Sequence, residues 1–309
     1  MANTTVTAQS SSNRSASFDI RFVLAFFAIY VLWGTTFLAI RIAVQEIPPL
    51  LAAGARFFVA GVVLYGFMRL KGQPSPSRLQ WRYLSAIGMV MFVVEYGPLF
   101  WAEKYIPSGI TSVLAATIPL ITIVLEMLVF RHQQFRWSLF GAALLGFGGV
   151  VVLLLPDRNQ HLALIPCIAI LVGSVGWCVG SILNRSLPLP ESRPLTSGAT
   201  MMLGGGGLLL LSAAFGELHP LPHVTVRAAL AVLYLIIFGS LLAFTAFVWL
   251  LARMPASHVS SHAYVNPVVA VALGYFLAGE IITTRMFIGA AIVVMSVFLI
   301  LRTNEPAKA

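Results

Sequence analysis

Charged side chains inside the long apolar stretches of this chain are the first candidates for chemistry. Arg56 is the one basic residue that lies well inside such a stretch, and an unpaired charge in an apolar medium is costly. Glu95 lies in the next stretch at a similar depth, roughly 10 Å from the end if both stretches are helical. We therefore predict that Arg56 and Glu95 pair and face one interior cavity, where they bind a substrate or exchange protons. A fixed structural ion pair is the alternative.

A second polar group lies on a later stretch. His258 and His262 are four residues apart and share one helix face. Such spacing can bind zinc, but no third ligand is evident, so we predict no metal site. His262 changes charge near neutral pH and is a candidate for proton coupling, with a hydrogen bond to a neighbouring backbone as the alternative. Asn266 precedes Pro267, which frees a backbone carbonyl one turn earlier, so we expect Asn266 to contact either substrate or another helix.

Aromatic and acidic residues add candidates. Trp33 and Trp101 could line a cavity, because indole rings bind apolar and cationic groups. Trp101 could equally belong to a belt of aromatic residues at the membrane surface. Glu103 ends the same stretch as Trp101 and is a candidate for shaping the mouth of a cavity. Helix capping or a loop salt bridge is the alternative for Glu103.

The composition identifies the chain as a membrane protein. Apolar residues make up 59% of it and charged residues 9%, whereas soluble domains have about 25% charged residues. The net charge of +9 comes without a basic patch interleaved with aromatics, which argues against a nucleic-acid partner. No phosphate-binding loop, dinucleotide fingerprint or nucleophile motif is present. We therefore predict that the protein is not an enzyme and needs no cofactor.

The apolar stretches predict ten transmembrane helices. Each is long enough to cross roughly 30 Å of hydrocarbon. Residues 1–20 and 303–309 lack this pattern and are predicted to be tails, the first of them disordered. The run Gly204–Gly207 is expected to let helices pack closely. The predicted spans are 21–41, 49–69, 82–102, 107–130, 136–155, 162–184, 194–214, 226–251, 255–278 and 285–302.

The basic residues of the loops predict the orientation. With ten spans, 13 of the 19 Lys and Arg residues fall on the side of the termini and five on the other side. Basic residues concentrate on the cytoplasmic side of membrane proteins. We therefore predict that both termini are cytoplasmic.

The chain repeats itself, which predicts two halves at 21–155 and 162–302. Five helices in each half make the second half inverted relative to the first, an architecture in which transporters place a substrate site between the repeats. Pro119 and Pro267 lie inside spans and are expected to kink them. The matching residues are Trp33 with Trp177 and Arg41 with Arg185, at an offset of 144, and Trp101 with Trp249, Pro107 with Pro255 and Pro119 with Pro267, at an offset of 148.

Several sequence elements resemble a known family. The stretches at 32–44, 48–64 and 102–120, with YVNPVVAVALGYFLAGE at 264–280, are similar to the EamA-type permeases of the drug/metabolite transporter superfamily, which have ten helices in two repeats. One departure is visible: Gly279-Glu280 corresponds to Arg131-His132 in the first half.

The resemblance implies a secondary transporter of the cytoplasmic membrane. We expect it to export a small metabolite, such as an amino acid or related compound, or an amphipathic drug-like compound, with protons as the coupling ion. A permease for facilitated uptake or exchange and a non-transporting receptor or scaffold are the alternatives. The expected partners are the small-molecule substrate, protons and the lipid bilayer. The oligomeric state stays open, with a homodimer among the alternatives.

Overall fold

The computed structural model describes residues 19–106, 108–131, 136–154, 163–219, 224–278 and 284–302, and these residues form helices and short connections without a strand. We number ten helices in chain order. They are α1 (Ile20–Val44), α2 (Pro49–Leu70), α3 (Arg78–Ala102), α4 (Ser108–Ala115 and 118–129), α5 (Trp137–Leu154), α6 (Leu164–Ser186), α7 (Arg193–Ala214), α8 (Val226–Leu251), α9 (Ala256–Val259 and His262–Ala278) and α10 (Thr284–Arg302).

These ten helices coincide with the ten predicted spans. Within the described ranges, seven stretches are long and apolar enough to cross a membrane, and α5 and α10 carry shorter apolar stretches. Large apolar side chains such as Leu210 and Phe287 point outward and are more than 70% exposed, as expected of a surface that contacts lipid. The prediction of an all-helical integral membrane protein is confirmed.

Short connections make successive helices run in opposite directions. We call the membrane face at which α1 begins the near face and the opposite one the far face. Odd-numbered helices run from the near face to the far face, so α1 and α6, which are equivalent in the two repeats, run in opposite directions. The second repeat is therefore inverted, as predicted.

The clearest sign of the repeat is the contact between α2 and α7. A Cβ on Gly61 would overlap the backbone of Met202, and one on Gly205 would overlap the backbone of Phe58. Both pairs are related by the same offset of 144 residues. The second pair of contacts, Gly54 with Leu209 and Gly198 with Tyr65, obeys the same rule. The two helices thus meet in a symmetric, antiparallel crossing whose centre is the middle of each helix.

The glycine run of α7 takes part in this packing. A Cβ on Gly204 would lie 2.5 Å from the carbonyl oxygen of Gly88 on α3, and one on Gly207 would lie 2.8 Å from the sulfur of Met89. The absence of side chains therefore lets α7 approach α2 and α3 at once. The predicted role of Gly204–Gly207 in close packing is confirmed.

A second equivalent pair, α5 and α10, forms the other end of the molecule. The hydroxyl of Ser296 donates to the carbonyl of Ala142 at 2.6 Å, and Tyr264 of α9 donates to the carbonyl of Ala143 at 2.6 Å. Hydrogen bonds of this kind hold helices together where lipid offers no hydrophobic driving force between them.

The helices that contain Pro119 and Pro267 are both interrupted, but not at equivalent places. In α4 the break falls at residues 116–117, just before Pro119, which occupies the first turn of the next piece. In α9 the break falls at residues 260–261, and Pro267 lies inside the following helical piece. The predicted kink at Pro119 is thus a break, whereas in α9 the break lies one and a half turns before the proline. Pro107 lies outside the described residues.

Candidate functional site

A small cavity lies at the centre of the bundle, between the two membrane faces. Its volume is about 40 Å³, enough for very few water molecules. Side chains of α1, α3, α4, α6 and α9 line it, namely Trp33, Thr36, Phe37, Ile40, Glu95, Tyr96, Leu99, Ala115, Ile118, Trp177, His262, Ala263 and Asn266. Both interrupted helices, α4 and α9, contribute to the wall.

Two tryptophans form the aromatic side of the cavity. The ring centroids of Trp33 and Trp177 are 5.5 Å apart in an edge-to-face arrangement. Trp33 Nε1 donates to the carbonyl of Gly239 on α8 at 2.9 Å, whereas Trp177 Nε1 has no hydrogen-bond partner among the described residues. The buried N–H of Trp177 is thus a donor that a bound molecule could use.

Several helices near the cavity contain wide, π-helical turns, which position polar groups beside it. Within the described ranges four segments are π-helical, with hydrogen bonds to the fifth residue back, and such segments leave some backbone carbonyls available. They are Ala28–Leu32, Met89–Tyr96, Leu125–Val129 and Leu235–Phe244. The first two carry or precede cavity residues, and the last supplies the carbonyl that accepts from Trp33.

Glu95 is the acidic residue of the cavity. It is 4% exposed, and its Oε2 has no hydrogen-bond partner within the part of the chain that the structure describes. The carboxylate lies against α6, where a Cβ on Gly173 would come within 2.7 Å of Oε2. A buried carboxylate without partners is costly, so this group is suited to binding a proton or a cationic group.

The predicted pairing of Arg56 with Glu95 is wrong for this conformation. Arg56 is fully buried, and its Nε donates to the Ser240 hydroxyl of α8 at 3.0 Å. Its guanidinium lies 4.5 Å from the ring centroid of Phe57 and 5.3 Å from that of Tyr96, while its Nη1 has no hydrogen-bond partner among the described residues. The guanidinium lies beside Tyr96, the sequence neighbour of Glu95, but position along a helix does not fix the direction of a side chain around it.

Arg56 nevertheless lies next to the cavity wall. Tyr96 touches both regions, because it lines the cavity and lies under the guanidinium. A Cβ on Gly239 would come within 2.5 Å of Arg56 Nη2 and 3.1 Å of the Thr36 methyl group. Arg56 is therefore separated from the cavity only by the residues of its wall.

His262 and Asn266 both lie on the cavity and are both anchored to backbone. His262 Nδ1 lies 2.9 Å from the Val259 carbonyl, and since a carbonyl only accepts, Nδ1 carries the proton. We orient the Asn266 amide so that its nitrogen faces the nearby carbonyls. The nitrogen then donates to the carbonyls of Ile29, Tyr30 and His262 at 3.0 to 3.3 Å. Ile29 and Tyr30 belong to the π-helical turn of α1. Backbone hydrogen bonds were the alternative for His262, and a contact with another helix was the alternative for Asn266.

Trp101 and Glu103 lie outside the cavity, at the far face. Trp101 packs against the exposed Tyr105 in a tilted arrangement with ring centroids 5.1 Å apart, which fits the interfacial belt. Glu103 is 1% exposed, and neither carboxylate oxygen has a hydrogen-bond partner among the residues the structure describes. Burial raises the pKa of Glu103 to about 8, against the opposing effects of Arg41 and the Thr111 hydroxyl.

Some cavity residues were not among the predicted site residues. Trp177 is the repeat equivalent of Trp33, so the offset of 144 residues could have identified it. Tyr96 and Thr36 carry no such signal, because tyrosine and threonine are unremarkable in an apolar helix. Within the described ranges, no three His, Cys, Asp or Glu side chains lie close enough to hold a metal ion.

The fold and the central cavity together define a class of protein. Inverted five-helix repeats around a small polar and aromatic cavity form the architecture of secondary transporters. Comparison with known proteins narrows the class to one family. Residues 20–155 and 164–302 each match the EamA-like transporter family, and the chain belongs to that family.

Relatives of the chain carry names that agree with this family. The chain is 35% identical over 282 residues to the "Uncharacterized inner membrane transporter YedA" of Escherichia coli strain K12, covering 89% of each chain. It is 23% identical over 279 residues to the "Probable amino-acid metabolite efflux pump" of the same organism, covering 88% of this chain and 91% of that one. The protein is thus a multi-pass inner-membrane protein of a transporter family. Its partners are a small-molecule substrate and the lipids of the membrane.

A solved structure supports the fold. A crystal structure with 21% sequence identity superposes with a TM-score of 0.73 and covers 90% of this chain and 95% of that one. At this identity the likeness concerns the fold alone.

Proposed function

We propose that the protein exports a small metabolite, an amino acid or related compound, or an amphipathic drug-like compound, from the near face to the far face through the central cavity. The observation that carries the proposal is the meeting of Trp33, Trp177, Glu95 and His262 in one small cavity between inverted repeats. The near face is the cytoplasm in this proposal, because the predicted loops on that side carry most of the basic residues.

The wall of the cavity favours substrates that combine an apolar part with a polar or cationic group. Indole and phenol rings stack on apolar groups and attract cations. Glu95 supplies a carboxylate without a hydrogen-bond partner for Oε2 in the described chain, and Trp177 supplies an unused donor. The name of one relative, an amino-acid metabolite efflux pump, is compatible with this chemistry.

Protons are the coupling ion in this proposal. Glu95 is buried, and its Oε2 has no hydrogen-bond partner among the described residues, so a proton or a cationic substrate removes the cost of its charge. Competition between the two for one carboxylate would exchange protons for substrate. His262, whose Nδ1 is committed to a backbone carbonyl, presents its second ring nitrogen as a further group able to bind a proton.

Transport requires this cavity to enlarge. Binding sites for small molecules typically have volumes of about 300–1,000 Å³, far above the 40 Å³ of the cavity. The conformation described here is therefore contracted around the cavity, which must widen to admit a substrate. The breaks in α4 and α9, both of which line the cavity, are suited to such a change because they interrupt the helical hydrogen bonding.

Purified protein reconstituted into liposomes tests the proposal. Radiolabelled amino acids and fluorescent amphipathic amines are loaded, and their movement is followed with and without an imposed pH gradient. We expect movement of at least one compound to depend on the gradient and to be lost in the Glu95→Ala variant. A rate of movement that is the same with and without the pH gradient contradicts proton coupling. No protein-dependent movement of any compound in either class contradicts the proposed substrates.

A further inference from the structure

The beginnings of the two interrupted helices are each fastened by a buried or half-buried charged side chain, at opposite faces of the membrane. At the far face, Arg41 Nη1 donates to the carbonyl of Ile106 at 2.9 Å, in the turn that leads into α4. At the near face, the carboxylate of Glu126 accepts from the backbone N–H groups of Ala256 and Ser257 at 3.1 and 3.2 Å, in the first turn of α9. We call these contacts the far fastener and the near fastener.

The two fasteners are related by the internal repeat. Arg41 at the end of α1 corresponds to Arg185 at the end of α6, and the charge of Arg185 acts on Glu126. The starts of α4 and α9 are themselves equivalent at the offset of 148 residues. An arginine at the end of the first helix of each repeat thus bears on the start of the fourth helix, Arg41 through a direct hydrogen bond and Arg185 through its charge on Glu126.

The two fasteners differ in whether a carboxylate bonds the start of the helix. Glu126 is 1% exposed and bonds the helix start directly. Its sequence equivalent in the second repeat is Gly274, which has no carboxylate. Glu103, also 1% exposed, lies instead beside Arg41 and close to Thr111 of α4.

Each fastener has a direct path to the cavity. Residues 108–115 connect the far fastener to the break at 116–117, next to Ile118, and Ala115 lines the cavity. Residues 256–259 connect the near fastener to the break at 260–261, next to the cavity residue His262. Each of these two helical pieces is held at one end by its fastener and joined to the rest of its helix by the break. When the fastener opens, the piece can rotate about the break.

We infer that Arg41 and Glu126 are positioning residues that decide which face the cavity opens to: release of the far fastener opens it to the far face, and release of the near fastener opens it to the near face. The inference rests on the transport function proposed above. Both fasteners are closed here, which agrees with the small volume of the cavity. In a transport cycle they would open alternately.

Accessibility from each face tests the inference without any substrate. The reporter is Ala115→Cys, a cavity position, in a chain whose own Cys167 and Cys178 are replaced by alanine. A membrane-impermeant thiol reagent is applied from one face in intact cells or spheroplasts and from the other in inside-out vesicles. We expect Arg41→Ala to raise the labelling rate from the far face about tenfold or more, since a charge-assisted hydrogen bond is lost, with little change from the near face. Glu126→Ala should raise it from the near face only.

Three further variants control for general loosening. Arg41→Lys keeps a donor and Glu126→Gln keeps an acceptor, so both should label more slowly than the alanine variants. Glu217→Ala removes a comparable far-face contact, because Glu217 accepts from the N–H groups of Leu50 and Leu51. That contact fastens α2, which contributes no residue to the cavity, so labelling should not change.

The outcomes separate this inference from the proposed function. Equal increases from both faces, no increase, or an increase from the wrong face would overturn it, since a variant that only destabilises the fold exposes the reporter to both sides. If each variant changes labelling from one face only, but the protein moves none of the tested compounds, the proposed substrates are contradicted and the inferred roles of Arg41 and Glu126 are supported.

Discussion

Trp33 and Trp177 occupy the same position in the two halves of the chain, and their rings touch, with centroids 5.5 Å apart. Equivalent residues of an inverted repeat can meet only near the pseudo-two-fold axis that relates the halves. The cavity that both residues line therefore lies on that axis. Their surroundings differ, because Trp33 Nε1 has an acceptor and Trp177 Nε1 has none in the described part of the chain.

That difference predicts unequal effects of two matched substitutions. Trp33→Phe removes the hydrogen bond to Gly239 and should lower the free energy of unfolding by about 1–3 kcal/mol. Trp177→Phe removes an N–H that has no partner, so the stability change should be smaller or even favourable. Thermal unfolding of the two variants in the same detergent checks this. Equal losses of stability would show that the hydrogen bond to Gly239 does not distinguish the two rings.

The symmetric crossing of α2 and α7 predicts where a single methyl group is harmful. Gly61→Ala and Gly205→Ala place a Cβ onto the backbone of the facing helix, and the helices must move apart, which typically costs about 1–3 kcal/mol. Gly66 is on the same helix as Gly61 but has no atom within 4 Å of such a Cβ. Gly66→Ala should therefore be neutral or slightly stabilising, because alanine favours helix more than glycine does. Thermal unfolding and the yield of folded protein measure the contrast.

The sequence predicts the features of this protein that hydropathy and the internal repeat determine, and it misses those that depend on side-chain packing. The ten helices follow from hydropathy, because a backbone in hydrocarbon must satisfy its own hydrogen bonds. The contact of Trp33 with Trp177 is implicit in the repeat. The separation of Arg56 from Glu95 was missed because it depends on how α3 rotates against α6, through glycines such as Gly173. The π-helical turns were missed too, since they arise from packing and leave no regular pattern of residues.

Glu95 is expected to link the proton gradient to substrate movement. Glu95→Gln keeps the size and shape of the side chain but cannot carry a negative charge, so the cavity no longer exchanges protons. In liposomes the variant should lose transport driven by a pH gradient, and exchange of a cationic substrate between the two sides should weaken as well, because proton and substrate compete for the same carboxylate. The Glu103→Gln variant, whose carboxamide lies outside the cavity, serves as the comparison and should keep gradient-driven transport. Gradient-driven transport by Glu95→Gln at the wild-type rate would exclude Glu95 as the coupling group.

Glu103 predicts a dependence of stability on pH. Burial raises the pKa of Glu103 to about 8 in the folded protein, against an ordinary value of 4.5. The folded state therefore holds the proton more tightly than the unfolded state does, and the contribution of this group to stability is complete below pH 4.5 and is lost as the pH rises to about 8. Thermal unfolding between pH 5 and pH 8.5 should show the wild type losing stability by up to a few kcal/mol relative to Glu103→Gln, since one unit of pKa corresponds to about 1.4 kcal/mol. The variant, which has no proton to lose, should approach or exceed the wild type at the upper end of the range. Parallel pH profiles for the two proteins would show that Glu103 is hydrated in the folded state, contrary to its burial.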